Sequence, residues 1–144
     1  MAQMKPKASP GGNIPLGFWV LNLQRSKPMD PAARTLWIIR DDGKHLTWVL
    51  VLTDADGSVR LNTWDGPYNG PPALVGGTPM RAQIRSRAAG TMQIHGEIEG
   101  EGAFLEDCVL AEDGRTLVCT GEVTTADGVQ TYLEEFDWAG PSPG

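Results

Sequence analysis

The sequence contains few of the residues on which metal sites and nucleophilic catalysis depend. It has two cysteines and two histidines, and their scatter does not match the ligand spacing of a zinc site. A phosphate-binding glycine loop, a nucleophile elbow and a Ser-His-Asp pattern are also missing. We therefore predict neither a bound metal nor a cofactor.

Long apolar runs and an excess of basic residues are missing as well. No apolar stretch approaches the ~20 residues of a membrane-spanning helix, and the N-terminal residues lack the apolar core of a secretory signal. The formal net charge is −6 at pH 7, whereas nucleic-acid binding needs clustered Lys and Arg. These absences predict a cytoplasmic protein with neither a membrane nor a nucleic-acid partner. A homodimer and the removal of an export signal both stay open.

The sequence does contain a series of turn signals between segments that alternate apolar and polar residues. Asp-Gly pairs at 42–43, 56–57, 113–114 and 127–128 are typical of hairpin connections. No segment shows the 3.6-residue period of an amphipathic helix. Because a long antiparallel meander must close or leave an edge unpaired, we predict an all-β fold, an up-and-down closed barrel of eight to nine strands around a cavity. The barrel is predicted to span residues 16–139, between flexible tails at 1–15 and 140–144.

The last turns predict which residues face one another, if 113–114 and 127–128 each connect their strands with two residues. One apolar face of the sheet then carries two acidic residues, Glu106 and Glu134. A three-residue turn at 100–102 places Gly96 beside them, opposite Glu106. The predicted facing sets are Phe104, Val123 and Tyr132; Glu106, Gly121 and Glu134; Cys108, Cys119 and Phe136; and Leu110, Leu117 and Trp138.

The same rule applies to the N-terminal half. A turn at 42–43 predicts Trp37 opposite Trp48, and a turn at 56–57 predicts Leu52 opposite Leu61. Residues 65–79 hold four prolines and four glycines, so we predict an irregular loop at the mouth of the barrel.

The two cysteines are predicted to be reduced. Counting from a two-residue turn at 113–114 makes Cys108 and Cys119 a hydrogen-bonded pair, with Cα atoms ~5.5 Å apart and splayed side chains. That geometry suits a disulfide poorly, and packed thiols are typical of a reducing compartment.

Several short motifs resemble a known family. The sequence is similar to a bacterial group of small lipocalin-like proteins, and the Trp near the start of the first strand resembles the Gly-x-Trp signature of lipocalins. The resemblance covers residues 17–137 and implies an antiparallel barrel with a cavity for a small, largely apolar molecule. It supplies no catalytic residues. The motifs that carry it are Gly17-Phe18-Trp19-Val20-Leu21-Asn22, Ser26-Lys27, Trp64-Asp65-Gly66 with Tyr68, and Glu112–Leu117 followed by Gly121.

Glu106 and Glu134 are the candidate catalytic or polar groups. Carboxyls buried among aromatic residues should have raised pKa values, and an acid–base pair of this kind suits proton transfer or a cationic ligand. Tyr132, one row away, could donate a hydrogen bond. The competing interpretation is that the carboxyls lie at a solvated rim and that Tyr132 belongs to the core.

We predict a wall of aromatic residues around Glu106 and Glu134, together with glycine, methionine and cysteine. Ordinary core packing would give the same pattern. The candidate ligand-binding residues are Trp37, Trp48, Trp64, Tyr68, Met92, Gly96, Phe104, Cys108, Gly121, Phe136 and Trp138.

Three functions therefore remain open. The leading prediction is binding of a small apolar or aromatic molecule, with the two glutamates as polar handles. The alternative is a cofactor-independent isomerase, lyase or cyclase that uses a glutamate as general base. The third is an interaction module with a filled core.

Overall fold

The computed structural model describes residue 14 and residues 17–42, 44–85 and 88–140. These residues form ten β-strands and one short 3₁₀ turn at Leu23–Arg25. The helical turn is too short to cross a membrane, and the described residues contain no helix that could. The strands are β1 Gly17–Leu21, β2 Arg34–Asp41, β3 His45–Thr53, β4 Val59–Pro67, β5 Ala73–Leu74, β6 Arg81–Arg85, β7 Thr91–Ile98, β8 Gly102–Leu110, β9 Thr116–Thr125 and β10 Gly128–Gly140.

All ten strands belong to one antiparallel sheet. Their order is β4-β3-β2-β1-β10-β9-β8-β7-β6-β5. Consecutive strands therefore lie side by side except for β4 and β5, which are the two ends, and β1 also pairs with β10. The two ends of the sheet meet where Thr63 in β4 exchanges two backbone hydrogen bonds with Gly76. The Trp64 indole adds a third link by donating to the Ala82 carbonyl over 3.0 Å. The predicted all-β, nearly closed barrel is confirmed, with ten strands instead of eight or nine.

Part of this closure comes from residues 65–79, and the prediction of one irregular loop there is wrong. β4 continues to Pro67, and β5 pairs Ala73 with Ala82 on β6. The chain turns between them at Asn69, whose φ of 58° is left-handed. Backbone hydrogen bonding to β4 and β6 therefore makes this segment part of the wall.

The interior is filled at one side by aromatic side chains from four strands. Trp37 lies 5.6 Å from Trp48 and 5.2 Å from Phe136 between ring centroids, and Trp48 stacks on Trp64 at 5.5 Å. Ile14, within the predicted N-terminal tail, is fully buried, and its N–H donates to the Asp41 carboxylate. The other residues of the predicted tails, apart from Gly140, lie outside the described residues.

The predicted register between β8 and β9 is confirmed, with Cys108 opposite Cys119 and Glu106 opposite Gly121. The register between β9 and β10 is wrong by two residues. The two-residue connection is Ala126–Asp127, and Gly128 already pairs with Thr125. As a result all four predicted pairs between these strands are wrong, including that of Leu117 with Trp138. Tyr132 lies opposite Gly121, Glu134 opposite Cys119, and Phe136 opposite Leu117.

Two other hairpins also differ by two residues. The β7–β8 turn begins one residue earlier than predicted, so Gly96 faces Phe104 and Ile94 faces Glu106. In β2–β3 the predicted Trp37–Trp48 pair is replaced by Trp37–Leu50 and Ile39–Trp48. Because side chains alternate with a period of two, these shifts leave every residue on its predicted face.

The β3–β4 hairpin differs by a single residue, and there the predicted faces of β4 are wrong. Leu52 pairs with Arg60 instead of Leu61, and Leu50 pairs with Asn62. Asn62 and Trp64 therefore lie on the inner side, whereas Leu61 is 53% exposed. The loop is longer than two residues, since the Asp54 N–H donates to the Ser58 carbonyl.

The prediction of reduced cysteines is wrong, because Cys108 and Cys119 form a disulfide. The turn that connects their two strands holds four residues, Glu112–Arg115, and is closed by a hydrogen bond from the Ala111 N–H to the Thr116 carbonyl. This moves the alternation of hydrogen-bonded pairs by one, which makes the cysteines a close pair with Cα atoms 4.0 Å apart. Because the cysteines are not reduced, they no longer support the prediction of a reducing compartment.

The disulfide predicts a measurable loss of stability when it is removed. We expect the double variant Cys108→Ala, Cys119→Ala to lower the free energy of unfolding by about 2 kcal/mol in urea denaturation, since the cross-link restricts the unfolded chain. The native protein, denatured without reductant, should give no reaction with a thiol reagent. Two reactive thiols would contradict the assignment.

Candidate ligand-binding site

The barrel contains a cavity of about 360 Å³, within the range of small-molecule sites. A smaller space of about 120 Å³ adjoins it and shares several wall residues. Strands from both halves of the chain contribute to the larger cavity, together with the loop before β2 and the β7–β8 turn. Its lining residues are Met29, Asp30, Thr35, Leu50, Leu52, Asn62, Met80, Ile98, Glu101, Gly102, Ala103, Phe104, Glu106, Val123, Thr125, Tyr132, Glu134 and Phe136.

Two carboxyl groups line both spaces: Glu106 from β8 and Glu134 from β10. Glu106 is 7% exposed, and the Tyr132 hydroxyl donates to its Oε1 atom over 2.6 Å. Gly121 makes this bond possible, because a Cβ atom at position 121 would overlap the Tyr132 ring. The pairing of Gly121 with Tyr132 thus holds the hydroxyl against Glu106.

The second oxygen of Glu106 lies 3.3 Å from the Cys108 sulfur. A disulfide sulfur has no proton to donate, so it can only accept a hydrogen bond from a protonated carboxyl. Oε2 therefore gains nothing from this neighbour when Glu106 is ionised. Among the described residues, Tyr132 is the one donor to Glu106, and a buried carboxyl needs several donors to stay charged.

The pKa values of both glutamates are raised from their ordinary value. Burial raises the pKa of Glu106 to about 7, although the hydrogen bond from Tyr132 opposes the shift. Burial raises the pKa of Glu134 to about 8, with repulsion from Glu106 as the second cause. The pKa of Tyr132 is raised by burial and by the adjacent Glu106, so its hydroxyl stays protonated as a donor.

Two more acidic residues, Asp30 and Glu101, line the cavity. Asp30 accepts two hydrogen bonds from Arg60, at 2.9 and 3.0 Å, and the Arg60 guanidinium holds the pKa of that carboxyl below its usual value. Arg60 also binds Asp54 and is not part of the wall. Among the described residues, the lining of both spaces contains no Lys, Arg or His.

Trp37 lines the smaller space and has a buried indole N–H group. The residue is 4% exposed, and its indole N–H is buried without a hydrogen-bond partner among the described residues. Trp37 lines this space together with Glu106 and Glu134. A buried donor without a partner costs stability.

The structure brings some of the predicted ligand-binding residues together and separates others. Phe104 and Phe136 line both spaces with the two glutamates, and Trp37 and Trp48 line the smaller one. The remaining seven lie outside the two spaces. Trp64 and Met92 are in the core, Tyr68 donates to Asp41, Gly96 lies under the Phe104 ring, Gly121 lies under Tyr132, Cys108 is in the disulfide, and Trp138 packs against Arg115.

Several wall residues had no strong signal in the sequence. Leu50 and Leu52 belong to an alternating strand, and that alternation could have placed them inside. Asn62 was hidden by the one-residue difference between β3 and β4. Asp30 lies in a loop, where period-two alternation gives no orientation.

The fold is similar to a solved structure. The match is the crystal structure of zebrafish ileal bile acid-binding protein complexed with cholic acid, with a TM-score of 0.58 over 86% of this chain and 98% of that chain. This chain therefore has the same kind of antiparallel β-barrel fold as that protein. Sequence identity is 14%, so the likeness concerns the fold alone. No protein-family model and no curated protein matches the sequence.

The raised pKa values predict a pH-dependent gain in stability from Glu106→Gln. The folded protein keeps a proton on Glu106 that the unfolded chain releases above pH 4.5, so wild-type stability falls as the pH rises through about 7. We expect little difference at pH 5 and a variant more stable by about 3 kcal/mol at pH 8, measured by urea denaturation.

Glu122→Gln provides the control, because Glu122 is exposed on the same sheet. Its effect should not change between pH 5 and pH 8. If Glu106→Gln is equally neutral or destabilising at both pH values, Glu106 is solvated and the assignment fails.

Proposed function

We propose that the protein binds a small, largely apolar molecule in the barrel cavity, with Glu106 and Glu134 as polar handles. The carrying observation is that both carboxyls line a cavity of about 360 Å³ whose other walls are mainly apolar. A pocket with a few polar groups in an apolar wall is typical of small-molecule sites.

The energetic cost of the two carboxyls supports this proposal. Each group disfavours folding at neutral pH, since its charged form loses hydration. An apolar side chain of similar size would fill the same space without that cost. Perturbed carboxyls in a cavity therefore favour a functional over a packing role.

Two likenesses support the same class of function. The zebrafish neighbour is a bile acid-binding protein, crystallised with cholic acid. The motifs that resemble bacterial lipocalin-like proteins imply a cavity for an apolar molecule. Membership of that bacterial group is part of this proposal.

A cofactor-independent isomerase, lyase or cyclase is the second candidate. It is favoured by one observation: Tyr132 donates to Glu106 beside Glu134, and both carboxyls have pKa values near neutrality. A general acid and a general base with such values can exchange a proton with a substrate at neutral pH.

Blocking the cavity tests ligand binding. We expect Val123→Trp to weaken binding of the neutral apolar dye Nile red at least 10-fold in a fluorescence titration, because Val123 lines the cavity. Val109→Trp is the matched control, since Val109 is 50% exposed on β8 and should leave binding unchanged. Equal affinity of both variants and the wild type would place the dye outside the barrel and contradict the proposal.

Isotope exchange separates the two candidates. The compound that copurifies with the barrel is identified by native mass spectrometry and returned to the protein in D₂O. An enzyme should introduce deuterium at carbon, and Glu106→Gln should abolish the exchange while retaining binding. Binding without exchange in the wild type would reject the acid–base mechanism.

A further inference from the structure

The charged groups of the cavity wall all have the same sign. Glu106, Glu134, Asp30 and Glu101 line it, and the described lining residues include no cation. Arg60 neutralises Asp30 but is also held by Asp54 and lies outside the wall. The interior thus keeps two carboxyls, Glu106 and Glu134, without a basic partner.

Glu134 is the less satisfied of the two. Its carboxyl makes no hydrogen bond or ion pair with any described residue, whereas the Glu106 carboxyl accepts a hydrogen bond from the Tyr132 hydroxyl. Glu134 lines the cavity, so once its carboxyl is ionised the oxygens need a donor from whatever occupies the cavity.

Three classes of head group can be compared at this site. A carboxylate would lie beside two acidic residues with no Lys or Arg to pair with, and repulsion is strong where water is excluded. An alcohol could donate one hydrogen bond. A protonated amine offers up to three donors and a positive charge, and charge-assisted hydrogen bonds are the stronger kind.

The aromatic side chains add to this preference. Phe104, Phe136 and Tyr132 line the cavity with the carboxyls. Ring faces attract a cation, so a positive nitrogen gains from the same wall that accommodates an apolar body.

We propose that the barrel selects lipophilic amines, holding the apolar body in the cavity and the protonated nitrogen between Glu106 and Glu134. The inference rests on the proposed binding function and narrows it to one class of ligand. The chemistry of this cavity wall differs from the chemistry expected of a site that binds a carboxylic acid.

Binding should also depend on pH. A protonated carboxyl cannot pair with an ammonium group, so amine affinity should rise from pH 5 to pH 8 as protons leave the glutamates. The other titratable groups facing the pair are Tyr132 from β10, Asp30 from the loop before β2, and Glu101 from the β7–β8 turn. Tyr132 keeps its proton over this range, and Arg60 keeps Asp30 ionised.

The test uses three compounds with one apolar cage: 1-aminoadamantane, 1-adamantanol and 1-adamantanecarboxylate. We expect isothermal titration calorimetry at pH 7.5 to give the amine roughly 10- to 100-fold higher affinity than the alcohol, as a charged hydrogen bond predicts. The carboxylate should bind more weakly than the alcohol. Glu134→Gln should lower the affinity for the amine far more than the affinity for the alcohol, because the Gln carbonyl still accepts a hydrogen bond but carries no charge. Glu122→Gln, which removes an exposed charge, should leave all three unchanged.

The outcomes separate this inference from the proposed function. If the alcohol binds in a manner blocked by Val123→Trp but the amine has no advantage, the amine inference fails and the binding function stands. The amine inference also fails if the carboxylate binds as tightly as the amine. It fails as well if the preference for the amine persists in Glu134→Gln and in Glu106→Gln. If none of the three binds, or if Val123→Trp leaves binding intact, the proposed function fails as well.

Discussion

Desolvation of Glu106 is the constraint around which the inner wall is arranged. One neighbour, Tyr132, donates to the carboxyl, and its ring reaches that position because Gly121 has no side chain. Another neighbour, the Cys108–Cys119 disulfide, cannot donate at all. With Glu134 as a second acid nearby, the pair cannot hold two charges at low cost. This arrangement leaves two carboxyls, with pKa values raised by burial, inside a mainly apolar wall.

The fold and the wall chemistry carry different information. The sheet of ten antiparallel strands closes at Thr63 and Gly76 to form the barrel. The zebrafish bile acid-binding protein has a similar fold. Ligand class depends on the groups that face inward. Bile acids are carboxylic acids, whereas the cavity here presents carboxyls to its occupant. A shared fold is therefore compatible with a different set of inward-facing groups, since function belongs to the site.

The sequence was informative about faces and less informative about pairing. Alternation placed Glu106, Phe104 and Phe136 inside correctly, and it survived two-residue errors in register. Each error came from a turn. An Asp-Gly pair does not reveal whether the connection uses those two residues, a pair that begins one residue earlier, or four residues. Only β4, shifted by one, had its faces reversed, and this concealed Asn62. The disulfide was missed for the same reason, since turn length decides which opposed pairs are close.

The central claim is that the two glutamates are desolvated in the cavity, and ¹³C NMR titration of their side-chain carboxyl carbons measures this directly. Glu106→Gln and Glu134→Gln assign the two signals. The account predicts midpoints near pH 7 and pH 8 in the free protein, and a lower midpoint for at least one when 1-aminoadamantane is bound. Two midpoints near pH 4.5, the ordinary value, would show solvated carboxyls and contradict the account.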